Sequence, residues 1–174
     1  MQDPSSHDLE ALVRRLGPLI YRRCLKILGR AEEAADATQE VFLRITKHRH
    51  QLPPEAEQLP WAYTIATRIC LNRIRDGRHE LSHEDEGPLP GDALLSRSEN
   101  GGAWVERREL ISHLCRAHDE KTTTLAWLVH ADGFSQEEAG KQVGLSRKSV
   151  GKKLAAFQEA ARLELERLEG EGRA

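Results

Sequence analysis

The sequence predicts an all-α protein made of two small helical domains joined by a flexible linker. Leu, Ala, Arg and Glu are abundant and only 5% of residues are aromatic, a composition that favours helices over sheet. Apolar residues recur at helical spacing along most of the chain, and no alternating strand pattern is evident. Residues 79–102 interrupt this periodicity with Gly, Pro, Ser and acidic residues. We therefore expect domains at 8–78 and 103–169, separated by an acidic linker at 79–102.

Three apolar stripes predict the helices of the first domain. The first contains Gly17-Pro18, which we expect to mark a bend or a restart of the helix. The third is expected to begin after Pro60. The members of the stripes, in order, are Leu9, Leu12, Val13, Leu16, Leu19 and Ile20; Ala34, Thr38, Val41, Phe42 and Ile45; and Ala62, Ile65, Ala66 and Ile69.

The second domain begins with two further helical patterns. Trp104, Ile111, Leu114 and Cys115 fit one helix face. A second pattern runs from Leu125 to Val129 and is ended by Asp132-Gly133.

The next segment, FSQEEAGKQVGLSRKSVGKKL, predicts a helix-turn-helix. Ser135 and Glu138 have the spacing of a capping box, which satisfies free backbone N–H groups at a helix start. Gly144 suits the left-handed conformation of a helix end, and Ser146 suits the N-cap of a second helix. Gly140 lacks a side chain and would let the two helices approach closely. In such a motif the second helix enters the DNA major groove by its N-terminal residues.

The outer face of that second helix is basic. Between Lys141 and Arg162 there are six basic residues and one acid, although the whole chain carries a net charge of −2. Lys152 and Lys153 are expected to meet phosphates, and Arg147 and Lys148 to reach base edges. A solvated helical hairpin with a basic face is the alternative.

Several functional classes are disfavoured. No apolar run approaches the ~20 residues of a membrane-spanning helix, and the N-terminus has no leader pattern, so we expect a cytoplasmic protein without direct membrane insertion. No phosphate-binding loop or nucleophile motif is present, so we expect neither an enzyme nor a cofactor nor a small-molecule substrate. The three cysteines are expected to be free thiols, and the spacing of His113, Cys115 and His118 does not match common zinc signatures.

Two segments of the first domain, DATQEVFLRI at 36–45 and PWAYTIATRICLNRIRDGR at 60–78, together with the predicted helix-turn-helix, resemble the extracytoplasmic-function group of bacterial sigma factors. The resemblance covers nearly everything from Leu12 to Leu165. It implies core RNA polymerase and promoter DNA as partners, with an anti-sigma protein as inhibitor. By this resemblance, the linker would thread toward the polymerase active centre, although a solvated tether is equally compatible with its composition.

The resemblance also implies three sets of site residues. The first segment would bind core polymerase, the second would recognise and open the −10 element, and the helix-turn-helix would read the −35 element. The core-binding set is Asp36, Gln39, Glu40, Phe42 and Leu43. The set for the −10 element is Trp61, Thr64, Arg68, Arg73, Arg75 and Arg78, and the set for the −35 element is Arg147, Lys148, Ser149, Lys152 and Lys153.

The chain departs from the family pattern at several positions. His118-Asp119 replaces a common Leu-Pro, and Asp119 would then serve as an N-cap. Asn72 replaces a common Asp in the segment for the −10 element, and Gly151 and Ala156 replace basic residues. Two other functions remain open at this point. One is a helix-turn-helix regulator that binds duplex DNA independently of core polymerase, and the other is a protein-interaction module with a degenerate helix-turn-helix.

Overall fold

The computed structural model describes residues 4–77 and 101–171, and the predicted linker lies almost wholly outside them. Within these ranges every regular element is a helix, which confirms the all-α prediction. The elements are α1 (Pro4–Leu28), α2 (Ala31–Lys47), a 3₁₀ turn (Arg49–Gln51), α3 (Glu55–Arg75), α4 (Gly101–Ala117), α5 (Glu120–His130), α6 (Gln136–Val143) and α7 (Arg147–Glu171).

Helices α1, α2 and α3 pack against one another and form the first unit. Their apolar stripes meet in one core, whose fully buried side chains include Ile20, Val41 and Ile69. The three expected helices are confirmed. Burial of the branched side chains supplies most of the stabilisation, at about 1.5–3 kcal/mol for each large side chain.

Two expected helix boundaries were wrong. Helix α1 does not restart at Gly17-Pro18 but runs through both residues, and α3 does not begin after Pro60 but at Glu55. A proline removes the backbone hydrogen bond to the residue four positions earlier. The residues four positions before the two prolines, Arg14 and Ala56, are exposed. Their freed carbonyl groups therefore lie on solvent-facing sides of α1 and α3, and tertiary packing holds each helix together.

We call helices α4 to α7 the second unit, in which α5, α6 and α7 enclose an apolar core of their own. Leu125 and Leu128 of α5 pack there with Val143 of α6 and with Val150 and Leu154 of α7. Ala139, Leu145 and Phe157 belong to the same cluster.

The predicted helix caps of the second unit are present. Asp119 caps α5 by accepting a hydrogen bond from the backbone N–H of Thr122 at 2.8 Å. Ser135 and Glu138 form the reciprocal capping box of α6. Gly144 ends α6 with a left-handed φ of 68°, a conformation that costs a residue with a Cβ atom.

Helices α6 and α7 are joined by the short segment 144–146 and approach each other closely at Gly140. A Cβ atom added to Gly140 would lie 2.9 Å from Val150 Cγ2 and 3.2 Å from the Leu145 carbonyl oxygen. The close approach expected at this glycine is confirmed.

The two units contact each other in the structure. Helix α4 packs against α3, and its Cys115 belongs to the core of the first unit rather than to that of the second. Arg108 of α4 donates to the carbonyl oxygen of Leu28 at 2.7 Å. The C-terminal half of α7 also packs on α4, where Glu164 Oε2 lies 3.5 Å from His113 Nε2. The interface between the units therefore consists mainly of α3 on one side and α4 to α6 on the other.

Candidate nucleic-acid and polymerase interfaces

The predicted core-binding residues lie along α2. Asp36, Gln39 and Leu43 are exposed, and Leu43 keeps 63% of its surface in solvent. Phe42 is half-buried and packs against the core of the first unit. Leu43 is thus a large exposed apolar side chain on this face of α2, whereas Phe42 packs on the core of the first unit.

Glu40 connects the predicted core-binding surface to the surface predicted for the −10 element. Its carboxylate accepts from Arg44 at 2.7 Å and from Arg73 of α3 at 3.0 Å. Burial opposes ionisation of Glu40, but the hydrogen bonds from Arg73 and Arg44 outweigh it and lower the pKa of this carboxyl. Glu40 is therefore ionised near neutral pH and holds the Arg73 guanidinium against α2.

The side chains predicted to contact the −10 element all lie on α3, as far as the structure describes them. Trp61 is half-buried against the first core, as a structural anchor would be. The Thr64 hydroxyl is buried, 3.0 Å from the Pro60 carbonyl oxygen and 3.3 Å from Gln142 Oε1 of α6. Arg78 lies outside the described residues.

Arg68 and Arg75 of α3 are engaged by the second unit. Arg68 Nε lies 3.6 Å from Glu120 Oε1, an ion-pair distance longer than a good hydrogen bond. Arg75 donates to the carbonyl oxygen of Cys115 at 2.6 Å and to Asn72 Oδ1 at 2.8 Å, and it also approaches the His118 carbonyl oxygen at 3.3 Å. Two predicted DNA-binding side chains thus have intramolecular partners across the interface between the units.

The side chains predicted to contact the −35 element lie at the start of α7. Arg147, Lys148 and Lys152 are exposed. The backbone N–H of Ser149 lies 3.4 Å from Ser146 Oγ, so Ser146 occupies the expected capping position. The first turn of α7 therefore presents positive charge to solvent.

Lys153 differs from its three basic neighbours. Its ammonium group donates to Asp119 Oδ2 at 2.6 Å and to Thr122 Oγ1 at 3.0 Å. The hydrogen bond from Lys153 lowers the pKa of Asp119 to about 2, helped by the backbone N–H of Thr122. The structure thus gives Lys153 a role in joining α7 to the start of α5.

The three cysteines are free and buried. A hydrogen bond with Cys24 and burial both raise the pKa of the Cys70 thiol, and burial raises the pKa of Cys115 to about 11. Both thiols are therefore protonated near neutral pH, and thiols of this kind react slowly.

Among the described residues, no group of three or more His, Cys, Asp and Glu side chains is placed to hold a metal ion. In the same part of the chain, no helix combines the length and the apolarity that crossing a membrane requires.

Four residues of the interface between the units were not predicted from the sequence. Arg23 of α1 forms a buried ion pair with Asp132, which follows α5, while Glu120 and Gln142 contact α3. Arg23 also donates to Thr67 Oγ1 at 2.7 Å and lies over the Tyr63 ring at 5.1 Å from its centroid. No local pattern signals such pairs, because Arg23 and Asp132 are 109 positions apart.

Comparisons with known proteins match both the first unit and the chain as a whole. Residues 12–80 match the model of sigma-70 region 2. The chain is 26% identical to the ECF RNA polymerase sigma factor SigW of Bacillus subtilis, over 84% of this chain and 82% of that protein. It is 24% identical to the RNA polymerase sigma factor CarQ of Myxococcus xanthus, over 83% of this chain and 82% of that protein.

A third relative is the ECF RNA polymerase sigma factor SigE of Mycolicibacterium smegmatis, 24% identical over 81% of this chain and 55% of that protein. The region 2 match includes both α2 and α3, the helices that carry the side chains predicted to bind core polymerase and the −10 element. The chain thus contains a match to sigma-70 region 2 within an all-helical fold, and over most of its length it is similar to RNA polymerase sigma factors, two of them of the extracytoplasmic-function group.

Proposed function

We propose that this sigma factor directs core RNA polymerase to its promoters through three surfaces. The exposed face of α2 binds core polymerase, α3 recognises and helps to open the −10 element, and the start of α7 reads the −35 element as duplex. The observation that carries the proposal is the region 2 match at residues 12–80, which spans both α2 and α3. The protein acts where polymerase acts, in the cytoplasm, and we propose no catalytic role for it.

The second unit contributes a helix-turn-helix to this function. Helices α6 and α7 are joined by a short turn at Gly144, and Arg147, Lys148 and Lys152 are exposed. A helix of this kind inserts its first turn into the major groove, where Lys and Arg recognise guanine edges and phosphates. Neutralising phosphates releases counterions, so duplex binding weakens as salt concentration rises.

Recognition of the −10 element requires the basic side chains of α3. Arg68, Arg73 and Arg75 line one helix together with Trp61 and Thr64, and such a set supplies both charge and polar contacts for unpaired bases. We also propose, from the family resemblance, that an anti-sigma protein inhibits this chain and that residues 79–102 connect the units as a tether.

Reconstituted transcription tests the proposal. Purified protein is mixed with bacterial core polymerase and a library of promoter fragments, and start sites are mapped. We expect specific transcripts that depend on the protein, together with co-elution of the protein and core polymerase. Duplex binding without any core association would instead identify the independent regulator, a function that the region 2 match does not favour.

A further inference from the structure

We propose that the free protein adopts a closed state, in which the second unit covers the surface of α3 that binds the −10 element, so that promoter strand capture requires its release. This inference rests on the proposed function of α3. The surface concerned is the interface between the units, defined by Arg23, Thr64, Arg68, Asn72 and Arg75 of the first unit. The facing residues of the second unit are Cys115, His118, Glu120, Thr123, Asp132 and Gln142.

Glu120 occupies the position that a DNA phosphate would otherwise take beside α3. One of its carboxylate oxygens accepts from Asn72 Nδ2 at 2.8 Å, and the other lies 3.6 Å from Arg68 Nε. A carboxylate and a phosphate are both anionic acceptors of guanidinium hydrogen bonds. Single-stranded DNA and the start of α5 therefore compete for the same groups of α3.

Arg75 fixes the covering helices more firmly than Arg68 does. Its guanidinium bonds to the carbonyl oxygens at the end of α4, and it also lies 3.3 Å from Thr123 Oγ1 of α5. With these donors engaged, Arg75 cannot also bind a phosphate. The hydroxyl of Thr64 is in the same situation, because Gln142 of α6 lies against it.

The ion pair between Arg23 and Asp132 holds the interface at its other end. The two side chains are only 5% and 7% exposed, and Arg23 also donates to Thr67. A buried ion pair is strongly destabilised when one partner is lost, because the other charge remains desolvated. Separation of the units hydrates both charges at once, so the pair permits an open state while holding the closed one together.

The units can separate without losing their cores. The first unit buries its apolar residues between α1, α2 and α3, and the second buries a distinct set around Leu125 and Val150. A partly open apolar cleft of about 240 Å³ lies mainly within the second unit, lined by residues such as Leu114, Trp127 and Phe157, and Leu71 of α3 borders it. Separation costs the polar contacts described above and the burial of Cys115, Ile111 and Trp127 against the first core.

The closed state affects the two DNA-binding surfaces differently. Arg147, Lys148 and Lys152 remain exposed while Thr64, Arg68 and Arg75 are covered. The closed protein therefore retains duplex binding through α7 but binds single-stranded DNA weakly. Core polymerase or promoter duplex can favour the open state only by binding it more tightly than the closed one.

The test uses the full chain, labelled at two exposed alanines. Ala56→Cys on α3 and Ala155→Cys on α7 receive a fluorophore pair in a Cys115→Ala background, because separation of the units would expose Cys115, whereas Cys24 and Cys70 stay buried in the first core and are expected to react slowly. Asp132→Asn and, separately, Glu120→Gln weaken the interface. Glu137→Gln is the control, because Glu137 is also a first-turn glutamate but is exposed and pairs with Lys141 on α6. Circular dichroism verifies that each variant is folded.

Energy transfer is measured without DNA, and affinity is then measured for a short random-sequence single-stranded DNA and for its duplex. We expect high transfer in the parent and in Glu137→Gln. In Asp132→Asn and Glu120→Gln we expect lower transfer and an affinity for single-stranded DNA about five-fold or more above the parent. Duplex affinity should not change. If Asp132→Asn is poorly folded, the energy transfer and the single-strand affinity of Glu120→Gln alone test the proposal.

Low energy transfer in the parent would overturn the closed state, and so would equal transfer in parent and variants. Lower transfer with unchanged single-strand affinity would overturn the masking of α3. Neither result concerns promoter-directed transcription, which the reconstituted reaction measures separately. A failure of this inference is therefore distinguishable from a failure of the proposed function.

Discussion

Lys153 Nζ donates to Asp119 Oδ2 at 2.6 Å, and this contact ties the proposed recognition helix to the first turn of α5. The same aspartate caps α5 through the backbone N–H of Thr122. One side chain thus joins a local capping function to the placement of the DNA-binding helix.

Asp119 should make the stability of the second unit pH-dependent. Because the pKa of Asp119 is lowered from 3.8 to about 2, its contribution is fully present above about pH 4 and is lost as the pH falls through 2. The side chain is 58% exposed, so solvent screens the contribution. Asp119→Ala should cost about 1 kcal/mol at neutral pH, the usual value of an N-cap.

Asp119→Asn separates the two roles of this residue, since Asn is also a good N-cap but carries no charge. We expect the difference in unfolding free energy between parent and Asp119→Asn to shrink between pH 5 and pH 2 in thermal unfolding followed by circular dichroism. A difference that is constant over this range would show that the ion pair with Lys153 does not contribute.

Gly140 and Gly151 should respond in opposite directions to alanine. At Gly140 the new methyl group would meet Val150 and the Leu145 carbonyl oxygen, so we expect destabilisation of about 1–3 kcal/mol. At Gly151 nothing lies within 4 Å, and the higher helix propensity of alanine should stabilise α7 by up to about 1 kcal/mol. Urea unfolding measures both, and a stabilised Gly140→Ala variant would contradict the close packing of α6 on α7.

Lys148→Ala should weaken use of the −35 element and leave core polymerase binding intact. Loss of one contact to a base edge typically reduces the free-energy difference between the correct and a wrong base pair by about 1–3 kcal/mol. The measurement compares transcription from promoters with intact and scrambled upstream elements. Lys121→Ala, an exposed lysine on α5, is the matched control. Unchanged promoter use in Lys148→Ala would mean that the start of α7 is not the recognition surface.

Leu43→Ala should reduce affinity for core polymerase without much effect on folding. Leu43 is 63% exposed, so its truncation should change the free energy of unfolding by no more than about 0.5 kcal/mol. Truncation of a residue that anchors an interface instead weakens the binding free energy by more than about 1 kcal/mol. Leu165→Ala, 46% exposed on α7, controls for the loss of an exposed leucine. Phe42→Ala should also destabilise the first unit, because Phe42 packs on its core. Equal core affinity of Leu43→Ala and the parent in a co-elution titration would place the polymerase contact elsewhere.

Local sequence signals were sufficient for the helical fold and for most helix ends. Asp119, the Ser135–Glu138 capping box and Gly144 occupy the expected positions, because each interaction involves groups no more than a few residues apart. Pro18 and Pro60 were misjudged as boundaries for the opposite reason. Whether a helix tolerates a proline depends on where its freed carbonyl group lies, and that is set by packing.

The sequence determined that the chain is helical, that it carries region 2 motifs and that the start of α7 is basic. Only the tertiary structure decided which of these charges are exposed. Arg147 and Lys148 face solvent, while Arg75 and Lys153 have partners on other helices. The partners Arg23 and Asp132 are 109 positions apart, and no periodicity or local motif relates two residues that only the packing of separate helices brings together.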